Sequence, residues 1–143
     1  RPRLLLATMA HDRHPDHHHA HALVRDAAYF SGLARIETGQ PPFRPPRTYY
    51  YHPYFEDHAA ASAIVDISDH FEVKLEALRA HASQFYNPEY EGPKTLISSE
   101  QFWESIRTRA AYWGNRIGVA YGEVLCGDGP LGLDLPPGLE IKP

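Results

Sequence analysis

The stretch HDRHPDHHHAH carries six of the ten histidines in this chain: His11, His14, His17, His18, His19 and His21. Imidazole is the side chain that binds divalent metals and moves protons near neutral pH. Within the stretch, His14 and His17 stand three residues apart with Asp16 between them. A carboxylate that close to a histidine can orient its ring, as in metal sites and catalytic triads. His17 and His21 have the i, i+4 spacing that lets two helical side chains touch one ion. Two blander readings stand beside these. A tag remnant would be an uninterrupted run, and Asp, Pro and Ala interrupt this one. A solvated helix face accounts for His18, His19 and His21 without any ligand, and a lone HxxH is a weak motif. His52, His58, His70 and His81 are scattered, and Ser83–Gln84 follows a helical segment as a polar pair. There is no GxSxG, Walker, GxGxxG or HExxH pattern.

These residues need elements to position them. RLLLATM (3–9) is a short apolar run, as expected of a strand buried on both faces. Pro15 suits the first position of a helix, with Asp16 in its first turn. The periodicity predicts that helix over about 15–34. Ala20, Leu23, Val24, Ala27 and Phe30 form its apolar stripe, and His17 is placed on the inward face in line with Val24. GQPPFRPP (39–46) is a Pro-rich connection. RTYYYHPY (47–54) and SAIVDIS (62–68) read as strands. A second helix is expected over DHFEVKLEALRAHASQF, with Ser68 as its cap. Ser98 with Gln101 forms a capping-box pattern before a third helix whose stripe is Phe102, Ile106, Ala110, Trp113 and Ile117. VAYGEVL (119–125) returns to a strand, and the Gly/Pro-rich tail is irregular. The order β-α-β-β-α-α-β predicts an α/β fold with helices packed on a sheet. In such folds ligands bind in the loops after the carboxyl ends of strands, which is where AHDRHPDH falls.

The bulk numbers agree with an ordinary globular chain. Its 143 residues suggest one domain spanning 1–143, and 43% are hydrophobic and 22% charged. The net charge of −4 argues against a nucleic-acid partner. Cys126 is the one cysteine, so an internal disulfide and a Cys-rich zinc cage are excluded. A reducing, cytoplasmic setting is the expectation. No apolar run is long enough to span a membrane, and no signal peptide is visible.

DRHPDHHHAHALVRDAAYFSGL resembles the second metal motif of the LmbE/PIG-L deacetylases. PPFRPPRTYYY, AIVDISDHFEVKLEALRAHASQF and RIGVAYGEVL follow in the order of that family, so the resemblance runs over nearly the whole chain. It is strongest to the bacillithiol-biosynthesis branch, which deacetylates N-acetyl-α-D-glucosaminyl L-malate. Other branches act on inositol, phosphatidylinositol or chitobiose conjugates. The resemblance implies a Rossmann-type three-layer αβα sandwich and zinc-dependent hydrolysis of the acetamide of an N-acetylglucosamine conjugate. Another divalent metal could stand in for zinc. It further implies a small-molecule substrate, and a homo-oligomer, commonly a hexamer. Carried over by position, His17 is the metal ligand. His14 stabilises the oxyanion and can protonate the leaving amine, and Asp16 partners and orients His14. Asp12 and Arg13 lead into the motif in supporting roles, and Arg44 falls where the family has an arginine near the substrate. Phe102 stands where the family often has a tyrosine.

The family's first motif, a His-x-Asp-Asp after the first strand, is absent from these 143 residues. It supplies the other ligands and the general base. The chain also begins at Arg1, almost directly on its first apolar run. The expectation is therefore a C-terminal portion of such an enzyme, missing the N-terminal part of the fold and inactive alone. The competing expectations are a non-catalytic histidine-rich metal-binding module, or an assembly module with TYYYHPYF at an interface.

Overall fold

A computed structural model describes residues 1–55 and 61–129. His58 and most of the Gly/Pro-rich tail lie outside them. The elements run β1 (Leu5–Ala7), α1 (Pro15–Phe30), β2 (Thr48–Tyr51), β3 (Ala63–Asp66), α2 (Phe71–Arg79), α3 (Glu100–Asn115) and β4 (Gly122–Gly127), with one 3₁₀ turn (Ser68–His70) before α2. This is the expected order, and the fold is mixed α/β. The chain forms two compact units, Arg1–Ser62 with Cys126–Pro143, and Ala63–Leu125.

The first unit is a strand–helix–strand crossover. β1 pairs in parallel with β2 through Leu5↔Thr48, Leu6↔Tyr49 and Ala7↔Tyr50. A parallel pair cannot be closed by a tight turn, and α1 supplies the crossover. Ala7 and Tyr50 are the buried residues of this ladder. β1 is shorter and less covered than its sequence suggests, for Leu4 and Leu6 are exposed. The cause is position: β1 has a partner on one side only among the described residues. Tyr50 extends its hydroxyl to Asp128 at 2.7 Å. Burial and that carboxylate push the Tyr50 phenol up to about 12.

α1 differs from its predicted stripe. No residue of the helix is buried, and Leu23 and Phe30 are exposed. The partly covered positions are Ala20, His21, Ala22, Val24 and Ala28. The face that meets β1 and β2 is thus centred on His21 and Val24, because His21 packs at a tilt against Tyr50 with ring centroids 5.0 Å apart. The helix stops at Phe30 rather than 34, where the Ser31 N–H closes onto the Ala27 and Tyr29 carbonyls.

The second unit pairs β3 with β4 antiparallel, Ala63↔Leu125 to Asp66↔Gly122. Its core is Phe71, Leu75, Phe102, Ile106, Ala110 and Val124. α2 is shorter than predicted, ending at Arg79 before turns at 81–85. The cap of α3 is Ser99, whose Oγ accepts the Phe102 N–H, while Ser98 bonds the Thr95 backbone. The capping box expected from Ser98 and Gln101 therefore does not form. Among the described residues, no helix is long and apolar enough to cross a membrane.

Candidate functional site

The chain leaves β1 at Ala7 and enters α1 at Pro15, and every candidate from the sequence except Arg44 lies on this turn. Pro15 occupies the first helical position with its φ preset, so the residue before it becomes the cap. That residue is His14, an unusual cap. Its ring Nδ1 accepts the Asp16 backbone N–H at 3.2 Å, replacing the hydroxyl or carboxylate oxygen common at this position.

Across the turn, histidine rings grip the loop backbone. The His21 Nδ1 lies 2.9 Å from the Thr8 carbonyl oxygen, and the His18 Nδ1 lies 2.7 Å from that of Ala10. The His17 Nδ1 lies 2.9 Å from Asp12 Oδ2. The other Asp12 oxygen accepts the His14 backbone N–H at 2.9 Å, and the Thr8 hydroxyl donates to the His17 carbonyl at 2.8 Å. Burial pushes the Asp12 carboxyl up, but the His14 N–H and the His17 ring outweigh it and hold it below the usual range.

These partners assign the ring protons. Carbonyl and carboxylate oxygens only accept, so His17, His18 and His21 carry hydrogen on Nδ1. In the neutral ring each leaves a lone pair on Nε2. His14 is the reverse: its Nδ1 accepts, so its neutral ring carries hydrogen on Nε2. His14 and His17 sit side by side with centroids 5.1 Å apart. One presents an N–H donor and its neighbour an acceptor nitrogen, at the positive end of a 16-residue helix.

The structure revises several expectations about these residues. His17 is not turned into a core; its side chain is 51% exposed. Asp16 engages His14 through its peptide N–H, not its carboxylate, which is exposed and bonded to nothing among the described residues. The orienting carboxylate is Asp12, and it orients His17. Its signal in the sequence was weak, because a five-residue spacing through an irregular loop has no period. His18 and His21, expected on the wet side, fasten the loop. Arg44 is far from the turn. Its guanidinium donates to the Tyr29 carbonyl at 3.1 Å and lies over the Tyr29 ring at 4.7 Å. Tyr29 is twelve residues beyond His17, or roughly 18 Å along the helix. Arg44 thus adds a bond to a carbonyl at the far end of α1. The arginine at the turn is Arg13, stacked over Phe55 at 4.3 Å and without a carboxylate partner among the described residues. Phe102, without a hydroxyl, is buried in the core of the second unit.

The donor set fits a metal in part. His17, backed by a carboxylate on Nδ1, has the form of a metal-ligating histidine. Among the described residues, however, no three His, Cys, Asp or Glu side chains are grouped to hold an ion. A catalytic zinc takes three protein ligands, so these residues alone do not make a metal centre.

The fold and the turn define a mixed α/β chain with a histidine–histidine–carboxylate cluster at the carboxyl end of a parallel strand, where such folds hold ligands. No protein-family model matches the chain. Among curated proteins it is 33% identical over 121 residues to the diacetylchitobiose deacetylase of Thermococcus kodakarensis, covering 80% of this chain and 40% of that protein. Among solved structures it is similar to the conserved protein TT1542 of Thermus thermophilus, with 31% identity and a TM-score of 0.77, covering 93% of this chain and 54% of the other. It is also similar to the N,N'-diacetylchitobiose deacetylase of Pyrococcus horikoshii, solved with an inhibitor. The identity there is 28% and the TM-score 0.64, over 87% of this chain and 45% of the other. The chain spans about half the length of these relatives, or less.

Proposed function

We propose that this chain forms part of the active site of an N-deacetylase that hydrolyses the acetamide of an N-acetylglucosamine conjugate. The observation that carries the reading is the pair of contacts at one strand-to-helix turn: the His14 Nδ1 accepts the Asp16 N–H while the His17 Nδ1 faces the Asp12 carboxylate. Amide hydrolysis needs a donor for the oxygen that becomes negative, and the His14 Nε2–H is such a donor, held rigid by its place in the cap. The partial positive charge of the α1 N-terminus favours the same oxygen. His17, fixed by Asp12, offers Nε2 as one ligand to a divalent ion, zinc in this reading, with the remaining ligands from outside the described residues. Bound zinc would lower the pKa of its water toward about 7 and polarise the acetyl carbonyl. Two deacetylases of N-acetylated chitobiose among the relatives support this reaction class.

The finer substrate proposal is N-acetyl-α-D-glucosaminyl L-malate, as in bacillithiol biosynthesis. Arg13 supports it, since a guanidinium stacked on an aromatic ring, with no carboxylate partner among the described residues, suits an anionic aglycone. Assembly as a homo-oligomer and a cytoplasmic location belong to the same proposal. Exposed Leu23, Tyr29 and Phe30 on α1 support assembly.

The test is deacetylation by a protein containing this chain together with a His-x-Asp-Asp segment, assayed on the malate conjugate and on diacetylchitobiose. Arg13→Ala is expected to raise KM for the malate conjugate and leave the neutral disaccharide unchanged. Equal effects on both would remove the malate assignment, and no turnover of either would remove the deacetylase reading.

A further inference from the structure

The second unit holds a cavity of about 520 Å³ that the turn chemistry does not use. Its walls come from the end of α2, the 85–88 loop and the first turns of α3. Phe85, Tyr86 and Trp103 supply the aromatic surface, with Phe85 edge-on to Trp103 at 6.2 Å. Arg79, Asn87, Glu100 and Glu104 supply planar polar groups.

We propose that this cavity binds a pyranose ring, with preference for a sugar carrying a free amine. A pyranose has a C–H face that lies against aromatic rings and a rim of vicinal hydroxyls. Planar amide, carboxylate and guanidinium groups meet such hydroxyls with paired hydrogen bonds. An aromatic floor with a few convergent polar groups is the usual composition of a small-ligand site, and the volume is in the range of such sites. The amine preference follows from charge. Glu100 and Glu104 stand four residues apart on one face of α3, and like charges at that spacing repel. Neither has an ion pair among the described residues, while the one lining cation, Arg79, lies over the Trp103 ring at 5.3 Å. An ammonium group would relieve the repulsion. The choice of an amino sugar rests on the deacetylase reading, because removing the acetyl group produces that amine.

The test follows the two tryptophan indole N–H signals of the 143-residue chain by NMR. Glucosamine, N-acetylglucosamine and methylammonium are the probes. Glucosamine is expected to shift the Trp103 indole and leave Trp113 in place. N-acetylglucosamine should bind up to about fivefold more weakly, the scale of an exposed ion pair. Glu100→Gln with Glu104→Gln should erase that difference. Tyr86→Ala, at an exposed loop position, should weaken both sugars with the fold intact. An unmoved Trp103 indole, an equal response to methylammonium, equal binding of the two sugars, or an unaffected Tyr86→Ala variant would each overturn the proposal. None of these readouts involves hydrolysis. A failed deacetylation assay with a shifted Trp103 therefore rejects only the catalytic reading, and an active enzyme with a silent Trp103 rejects only this one.

Discussion

His14 does two jobs that one substitution can separate. As the cap of α1 it satisfies a helix N–H, and as a ring it presents Nε2–H at the turn. Asn caps helices well, and its amide N–H sits closer to the backbone than the imidazole Nε2–H, so that outward position is left without a donor. His14→Asn should therefore keep thermal stability, whereas His14→Ala should lose about 1 kcal/mol in unfolding measurements. In the assembled enzyme both should lose about 10²–10³ in kcat, the cost of one oxyanion donor. Activity that survives in His14→Asn would assign the ring a capping role alone. Asp12 is equally specific. Both its oxygens accept, one from the His14 N–H and one from the His17 ring. An amide can satisfy only one of these, so Asp12→Asn should weaken zinc binding by about 10–100-fold in calorimetric titration. Unchanged affinity would mean that Asp12 holds the loop but does not prepare His17. The sequence made His14 and His17 legible through residue type and short spacing. It did not make Asp12 legible, since its partnership depends on how an irregular loop folds back. The family resemblance places Asp16 in the orienting role; in the structure its backbone N–H meets the His14 ring, and its exposed carboxylate makes no bond among the described residues.

At the scale of elements, the order of strands and helices could be read from periodicity, and their faces less well. α1 was recognised by Pro15 and its apolar spacing, but its covered side turned toward His21, a polar residue that a hydrophobic stripe omits. The ring holds that position by packing at a tilt against Tyr50 and bonding the Thr8 carbonyl. Tyr50 in turn makes a pH prediction. Its phenol is raised to about 12 in the fold, above its ordinary value of 10.0. A raised folded value means full stabilisation below the ordinary value and loss as pH climbs through the folded one. Chemical denaturation of the wild type should weaken between about pH 10 and 12. Tyr50→Phe should be flatter across that window, and a parallel decline would overturn the assignment. In the second unit, Gly114 closes α3 against the chain entering β4. A Cβ there would meet the Tyr121 nitrogen and the Val119 oxygen at 2.7 Å. Alanine normally favours a helix over glycine by about 1 kcal/mol. Here the clash is with backbone, which cannot swing aside, so Gly114→Ala should destabilise by about 1–3 kcal/mol in the same assay. A stabilised variant would show that the α3–β4 turn can yield.

For the whole molecule, the order of elements anticipated a mixed α/β chain, while the division of its contacts into two units was not legible in composition. Composition averages over the chain and carries no record of which segments meet. The alternative of a histidine-rich metal-binding module is constrained at this scale. His18 and His21 hold the loop backbone through Nδ1, and His17 holds Asp12, so their Nε2 atoms are presented in one local geometry rather than as a loose surface.

That geometry has a consequence for how the turn can vary. The bonded pairs run in opposite directions along the chain: Thr8 with His21, Ala10 with His18, Asp12 with His17. Surface connections ordinarily absorb inserted or deleted residues at little cost. Adding or removing one residue between Asp12 and His14 would slide every acceptor past its ring at once, as a missed tooth jams a zip. Point substitutions can be tolerated one by one here, but the length of the connection cannot drift.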